Sequence, residues 1–147
     1  MFVPQSKSRS RDRGDTQAMN ECPFCKRIAN DEDLADTSPM SVALNDAFPV
    51  SEGHMLVVPK RHVATAEELN PEEWADLFEL VRKVTREVAA IDGVDGVNVG
   101  FNSGHAAGQT VDHAHVHVIP RELGDVVDPR GGIRWVLPET ADYWTNG

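Results

Sequence analysis

The sequence predicts an α+β fold, an antiparallel sheet with helices packed on one face, and three observations predict it. Four short segments carry the two-residue alternation or β-branched runs of strands: Ser41 to Asn45, His54 to Val58, Val97 to Phe101, and His113-Ala114-His115-Val116-His117 running into Val118-Ile119. One long segment carries the 3.6-residue period of an amphipathic helix. The remaining links are of turn length, which suits antiparallel neighbours.

Taken in order, residues 1–20 come first as a disordered basic tail. Ser6-Lys7-Ser8-Arg9-Ser10-Arg11-Asp12-Arg13-Gly14 is polar and small, with almost nothing to bury. The domain follows over residues 21–147. Cys22 to about Asp31 reads as a short helix ending in the acidic turn Asn30-Asp31-Glu32-Asp33. The strand Ser41 to Asn45 leads into the turn Asp46-Ala47-Phe48-Pro49, and the strand His54 to Val58 is stopped by Pro59. Asn70-Pro71-Glu72-Glu73 is a strong helix start, with a cap, a proline at the first position and a glutamate at the third. That helix places Trp74, Leu77, Phe78, Val81, Val84 and Val88 on one stripe, and Gly93 and Gly96 close it. From about residue 122 the chain becomes an irregular extension, rich in glycine and proline, that carries Ile133-Arg134-Trp135-Val136-Leu137 and Tyr143-Trp144.

The 147 residues suffice for one domain with a real core. Formal net charge is −10, and the tail is basic, so the folded part is more acidic still. A duplex-binding surface, which needs a basic stripe, is therefore not expected. There is no apolar run of membrane-span length and no signal-peptide core, so a soluble, cytoplasmic protein is expected.

The histidine run is the most informative segment. A two-residue period points His113, His115 and His117 to one face and Ala114, Val116 and Val118 to the other. Three imidazoles are poor strand filler, so chemistry is the better account: metal ligation, or nucleophilic catalysis by one histidine that its neighbours orient. The loop before them, Asn102 to Thr110, is built of small residues. Gly108 permits close approach of backbone N–H groups to an anion, and Gln109 and Thr110 offer neutral donors to developing phosphoryl charge. Both cysteines lie in Cys22-Pro23-Phe24-Cys25. Without a strand before the pair, a thioredoxin-like role has no context, and two thiolates need two further ligands to close a zinc site.

Residues 108–119, Gly-Gln-Thr-Val-Asp-His-Ala-His-Val-His-Val-Ile, resemble the signature of the histidine-triad (HIT) nucleotide hydrolases and transferases. Residues 53–62 resemble the same family's first strand-and-turn segment. The likeness covers roughly residues 21 to 122 and is strongest to the fragile-histidine-triad branch, whose members cleave dinucleoside polyphosphates.

The resemblance implies a homodimer with sheets side by side. It also implies a nucleotide substrate cut at the α-phosphate, with His115 as nucleophile and a covalent nucleotidyl-histidine. His117 would donate to the phosphoryl oxygens. Gln109 and Thr110 would support the bridging oxygen and leaving group, Gly108 the cradle, and Asn102 the loop or a phosphate. His54 matches the family's fourth histidine, Asp46 the position that holds ribose hydroxyls, and His105 has no family role. Transferase branches carry glutamine where this chain has His117, so hydrolysis is expected, either of dinucleoside polyphosphates or of nucleoside phosphoramidates. A nucleotide-binding regulator with weak activity is a third reading.

In some members the cysteine pair forms a structural zinc site with two histidines, which here would be His62 and His113. The substrate's negative charge must be met locally, through backbone N–H groups and imidazolium, with Arg121 and a substrate-associated Mg²⁺ as further candidates. The C-terminal aromatics are open to packing, to a purine pocket or to a subunit contact.

Overall fold

A computed structural model describes residues 13–145. The expected tail falls outside the described residues over 1–12, and the stretch after it is a helix, α1 (Arg13–Glu21). Helix α2 (Pro23–Ala29) follows with proline at its start. The strands are β1 (Leu34–Thr37), β2 (Ser41–Asn45), β3 (Met55–Pro59), β4 (Gly96–Gly100) and β5 (Val116–Arg121). They pair antiparallel throughout in the order β1-β2-β3-β5-β4. Helix α3 (Pro71–Ala89) links β3 to β4, and a short α4 (Pro138–Ala141) lies near the C-terminus. Among the described residues no helix is long and apolar enough to cross a membrane.

Helix α3 starts where the sequence places it. The Asn70 side chain accepts from the Glu73 N–H and the Glu73 carboxylate accepts from the Asn70 N–H, a closed capping box that contributes on the order of 1 kcal/mol. Its stripe buries Leu77, Leu80, Val81, Val84 and Val88 against Ala43, Val57, Val116 and Val118 on one face of the sheet. Trp74, expected in that stripe, is 40% exposed. The short α2 lies on the opposite face, where Cys22 and Phe24 pack on Val42, Leu44, Leu56 and Val58. The period-2 rule then leaves His117 and Ile119 on that same face, beyond the reach of α2.

The histidine strand departs from expectation. β5 begins only at Val116, so His113, Ala114 and His115 form an extended lead-in rather than strand. Their backbone partners lie off the sheet, with the His113 N–H donating to Val111 O and the Ala114 N–H to Val63 O. The three imidazoles do not share one solvent-accessible face. His113 and His115 are buried, and only His117 is partly open. Register sets His117 opposite Leu56 on β3 and Gly100 on β4.

Candidate active site

The lead-in conformation fixes the tautomer of His115. Its Nδ1 lies 2.7 Å from the carbonyl oxygen of His113, an acceptor only, so Nδ1 carries the proton and donates it. In the neutral ring the lone pair then falls on Nε2, the arrangement a nucleophile needs. The ring is held edge-on against Phe24 at 5.1 Å and stands 5.1 Å from the ring of His117.

A second chain of hydrogen bonds sets His117. The Val50 N–H donates to His54 Nδ1 at 3.2 Å, so His54 must carry its proton on Nε2. That Nε2–H faces His117 Nδ1 at 2.9 Å and donates to it. His117 accepts there and presents an Nε2–H. Asp46 Oδ2 stands 3.4 Å from the same His54 nitrogen, while Asp46 Oδ1 accepts from the Phe48 N–H. Burial, then His115 and His54, push His117 down to about 4, and burial likewise holds His54 below its ordinary range against the pull of Asp46. Both are neutral at physiological pH. Asp46, His54 and His117 are close enough to suggest a cation site, but metal on His54 Nε2 would move the proton to Nδ1, against the Val50 N–H. His54 and His117 form a hydrogen-bonded pair with the Asp46 carboxylate beside them.

A pH test follows from His117. A histidine kept neutral by the fold stabilises fully above its ordinary value of 6.5, and that contribution is lost as pH falls towards about 4. Thermal melts of His117→Gln should therefore gain on the wild type between pH 7 and 4.5. A constant difference across that range would show that the fold does not depress His117.

The cysteine pair closes a different cluster. His113 Nε2 lies 2.8 Å from Pro59 O and so carries the proton, leaving Nδ1 as a lone-pair donor. That Nδ1 stands 3.4 Å from Cys22 Sγ, 3.5 Å from Cys25 Sγ and 3.2 Å from His62 Nδ1, and Cys25 Sγ is 3.3 Å from His62 Nδ1. A tetrahedral zinc with bonds of about 2.05 Å to nitrogen and about 2.3 Å to sulfur has edges of about 3.3 Å N–N and about 3.6 Å N–S. The four residues fit such an ion. Burial, and Cys22 beside it, push the Cys25 thiol up to about 12 when no cation is present.

A HIT domain profile matches residues 28–124. This chain belongs to the HIT family. It is 44% identical over 103 residues to adenosine 5'-monophosphoramidase hnt1 of Schizosaccharomyces pombe, spanning 68% of this chain and 74% of that protein. It is 42% identical over 86 residues to the bis(5'-nucleosyl)-tetraphosphatase [asymmetrical] of the same organism, spanning 58% of this chain and 47% of that protein. Among solved structures, a Zn-bound histidine triad family protein from Mycobacterium smegmatis superposes with a TM-score of 0.68 at 31% identity, covering 75% of this chain and 81% of that one.

The HIT loop before the triad is more self-contained than its composition suggests. The Gln109 amide N–H groups donate to Ala64 O at 2.6 Å and Val111 O at 2.8 Å, and its oxygen accepts from the Gly104 N–H. As placed, Gln109 pins the loop and has no N–H left for a leaving group. Gly108 adopts a left-handed φ of 90°, as its glycine requires, but its N–H turns back to His105 O. Thr110 is exposed and lines a hollow beside Cys22 and His62, away from His117. Asn102 does line the cavity that holds His54 and His117. His105 is exposed and paired with Asp112. Arg121 donates to the Asp125 carboxylate and to Asn98, so its charge is already matched.

The sequence calls for a backbone carbonyl behind the nucleophile without showing that it is His113 O, and it does not show the Val50 N–H, the Pro59 carbonyl or the Phe24 ring. Three of these are backbone groups with no side-chain signal. Phe24, lying between the two cysteines, had a signal.

Proposed function

We propose that this protein hydrolyses dinucleoside polyphosphates at the α-phosphate through a covalent nucleotidyl group on His115, releasing a nucleoside monophosphate. The supporting observation is the pair of opposed tautomers: in the neutral rings, a lone pair on His115 Nε2 beside a proton on His117 Nε2. His115 Nε2 attacks the α-phosphorus, a P–N bond forms, and the P–O bond to the bridging oxygen breaks with its electrons on the departing polyphosphate. His117 Nε2–H donates to the phosphoryl oxygens as charge builds. Water then adds to phosphorus, the P–N electron pair returns to Nε2, and the water proton passes to solvent. Asp46 would hold the ribose hydroxyls, with Asn102 at a phosphate. Gln109 and Gly108 would act as positioning residues for the loop, Thr110 at its rim.

The 44% identical relative is named a phosphoramidase, which favours a second reading in which the scissile bond is P–N. Release of AMP from diadenosine tetraphosphate and from adenosine 5'-phosphoramidate, compared by kcat/KM, decides between them. A clear preference for the amidate would replace the first reading with the second, and slow turnover with tightly retained nucleotide would make the protein a regulator.

The four-residue cluster would hold a structural zinc, Mg²⁺ would enter only with the substrate, and the reduced thiols fit a cytoplasmic location. A homodimer is supported by the edge of β4, unpaired among the described residues, and the half-exposed Trp74 and Phe101 beside it.

A further inference from the structure

The first turn of α2 brings the two cysteines together. Cys22 is the N-cap and Cys25 the third helical residue, and the Lys26 N–H closes the turn on Cys22 O at 3.1 Å. Helical geometry sets Cα atoms three residues apart at about 5 Å, inside the span of a disulfide. The side chains agree, since the ligand atoms of Cys22, Cys25, His62 and His113 all lie within 4.8 Å of one another. Both thiols are free and the chain has no third cysteine, so one intramolecular pairing exists. A hollow of about 320 Å³ opens on the cluster, lined by Ala18, Glu21, Cys22, His62, Thr110 and Asp112. A small solute therefore reaches Cys22 although that residue is only 6% exposed, and Cys25 is half-buried.

Three ties connect this turn to the nucleophile. Phe24, between the two cysteines, meets the His113 ring edge-on at 5.8 Å and the His115 ring at 5.1 Å. His113 turns Nδ1 to the sulfurs while its carbonyl accepts from His115 Nδ1. Val63, next to His62, accepts at its carbonyl from the Ala114 N–H at 2.8 Å, between His113 and His115. Whatever moves the two sulfurs therefore moves the supports of His115 as well.

We propose, on the zinc and hydrolase readings above, that Cys22 and Cys25 are a reversible oxidation site: peroxide joins them in a disulfide, which ends zinc binding and displaces His115. The Cys22 thiolate, facing the hollow, attacks a peroxide oxygen, the O–O bond breaks, and Cys22 becomes a sulfenic acid as hydroxide leaves. The Cys25 thiolate then attacks the Cys22 sulfur, the S–S bond forms and a second hydroxide leaves. The two sulfurs give up two electrons, the peroxide takes them, and two protons from solvent complete two waters. A disulfide carries no charge to set against a dication, and two neutral imidazoles do not close a tetrahedral site, so the cluster no longer holds the ion. Drawing the sulfurs in to about 2.05 Å shifts the turn whose middle residue packs on His115.

The test is a hydrogen peroxide titration of the full chain, reduced and supplied with zinc, with a chromogenic chelator reporting release. One zinc should leave per chain as both thiols disappear, and the monomer mass should fall by about 2 Da for the two hydrogens lost. Turnover of diadenosine tetraphosphate and adenosine 5'-phosphoramidate, assayed below the melting temperature of the oxidised form, should drop at least about tenfold. A thiol reductant with added zinc should restore mass, metal and rate. A reduced protein that retains no zinc overturns the zinc reading and the oxidation site's effect with it. Zinc kept under peroxide, or lost while the mass rises by oxygen additions, overturns the oxidation site alone. Release with an unchanged rate overturns the link to His115. No turnover by the reduced, zinc-bound protein overturns the hydrolase reading, and release and mass still decide the oxidation site.

Discussion

His115→Ala is expected to lower turnover about 10⁴-fold or more, a barrier rise of at least about 5.5 kcal/mol. The size follows from the lack of a substitute. His117 cannot take over, because its Nδ1 accepts from His54 and its Nε2 therefore carries a proton. His113 is fully buried with Nε2 bonded to Pro59 O and Nδ1 turned to the cysteines. His117→Ala removes the proposed donor rather than the proposed nucleophile and should cost only about 10²–10³.

The decisive readout is the adduct. Wild type quenched in denaturant during turnover of labelled substrate should carry nucleotide on His115. His117→Ala should carry it more slowly, and His115→Ala should carry none. Label retained by His115→Ala would remove the covalent assignment. Thermal melts are needed alongside, since the variant also loses the edge contact with Phe24.

The parts of this molecule legible in sequence are those set by local chemistry. β2, β3 and the start of α3 stand within a residue of expectation, because alternation and the Asn70–Glu73 box act over a few residues, whereas α3 ends at Ala89, ahead of the glycines expected to close it, and Pro59 is the last residue of β3. β1 was not foreseen: Leu34-Ala35-Asp36-Thr37 has one strongly apolar residue and lies at the sheet edge, half exposed. The break before Val116 was illegible for a different reason. A strand and an extended lead-in share the same period, and only the distant Val63 carbonyl decides between them. The cysteine–histidine cluster was reached through family likeness, since nothing local ties Cys22 to a histidine 91 positions away. The order of the C-terminal segment depends on Gly131 and on cation–π pairs whose partners the composition does not announce.

Stripping metal from the zinc site proposed at the four-residue cluster is the perturbation with the second largest expected effect, and it should act on stability and turnover together. Without a cation, His62 Nδ1 and His113 Nδ1 face each other at 3.2 Å among two sulfurs, and burial disfavours a thiolate that would balance them. A bound cation turns those four opposed donors into ligands, so binding free energy becomes folding free energy. A loss of about 3–5 kcal/mol would lower the melting temperature by about 10 °C or more.

Because Cys25, its thiol held up by burial and by Cys22, must lose a proton to bind, apparent affinity should rise with pH through the neutral range. Turnover should fall through kcat rather than KM, because the backbone of the same His113 supplies the carbonyl that holds the His115 tautomer. Elemental analysis of protein purified without chelator should find one zinc per chain, lost in Cys25→Ser and His62→Ala and retained in His115→Ala and His117→Ala. Zinc content that follows His115 and His117 instead would mean that the triad itself is the metal site and that the nucleophile assignment is wrong.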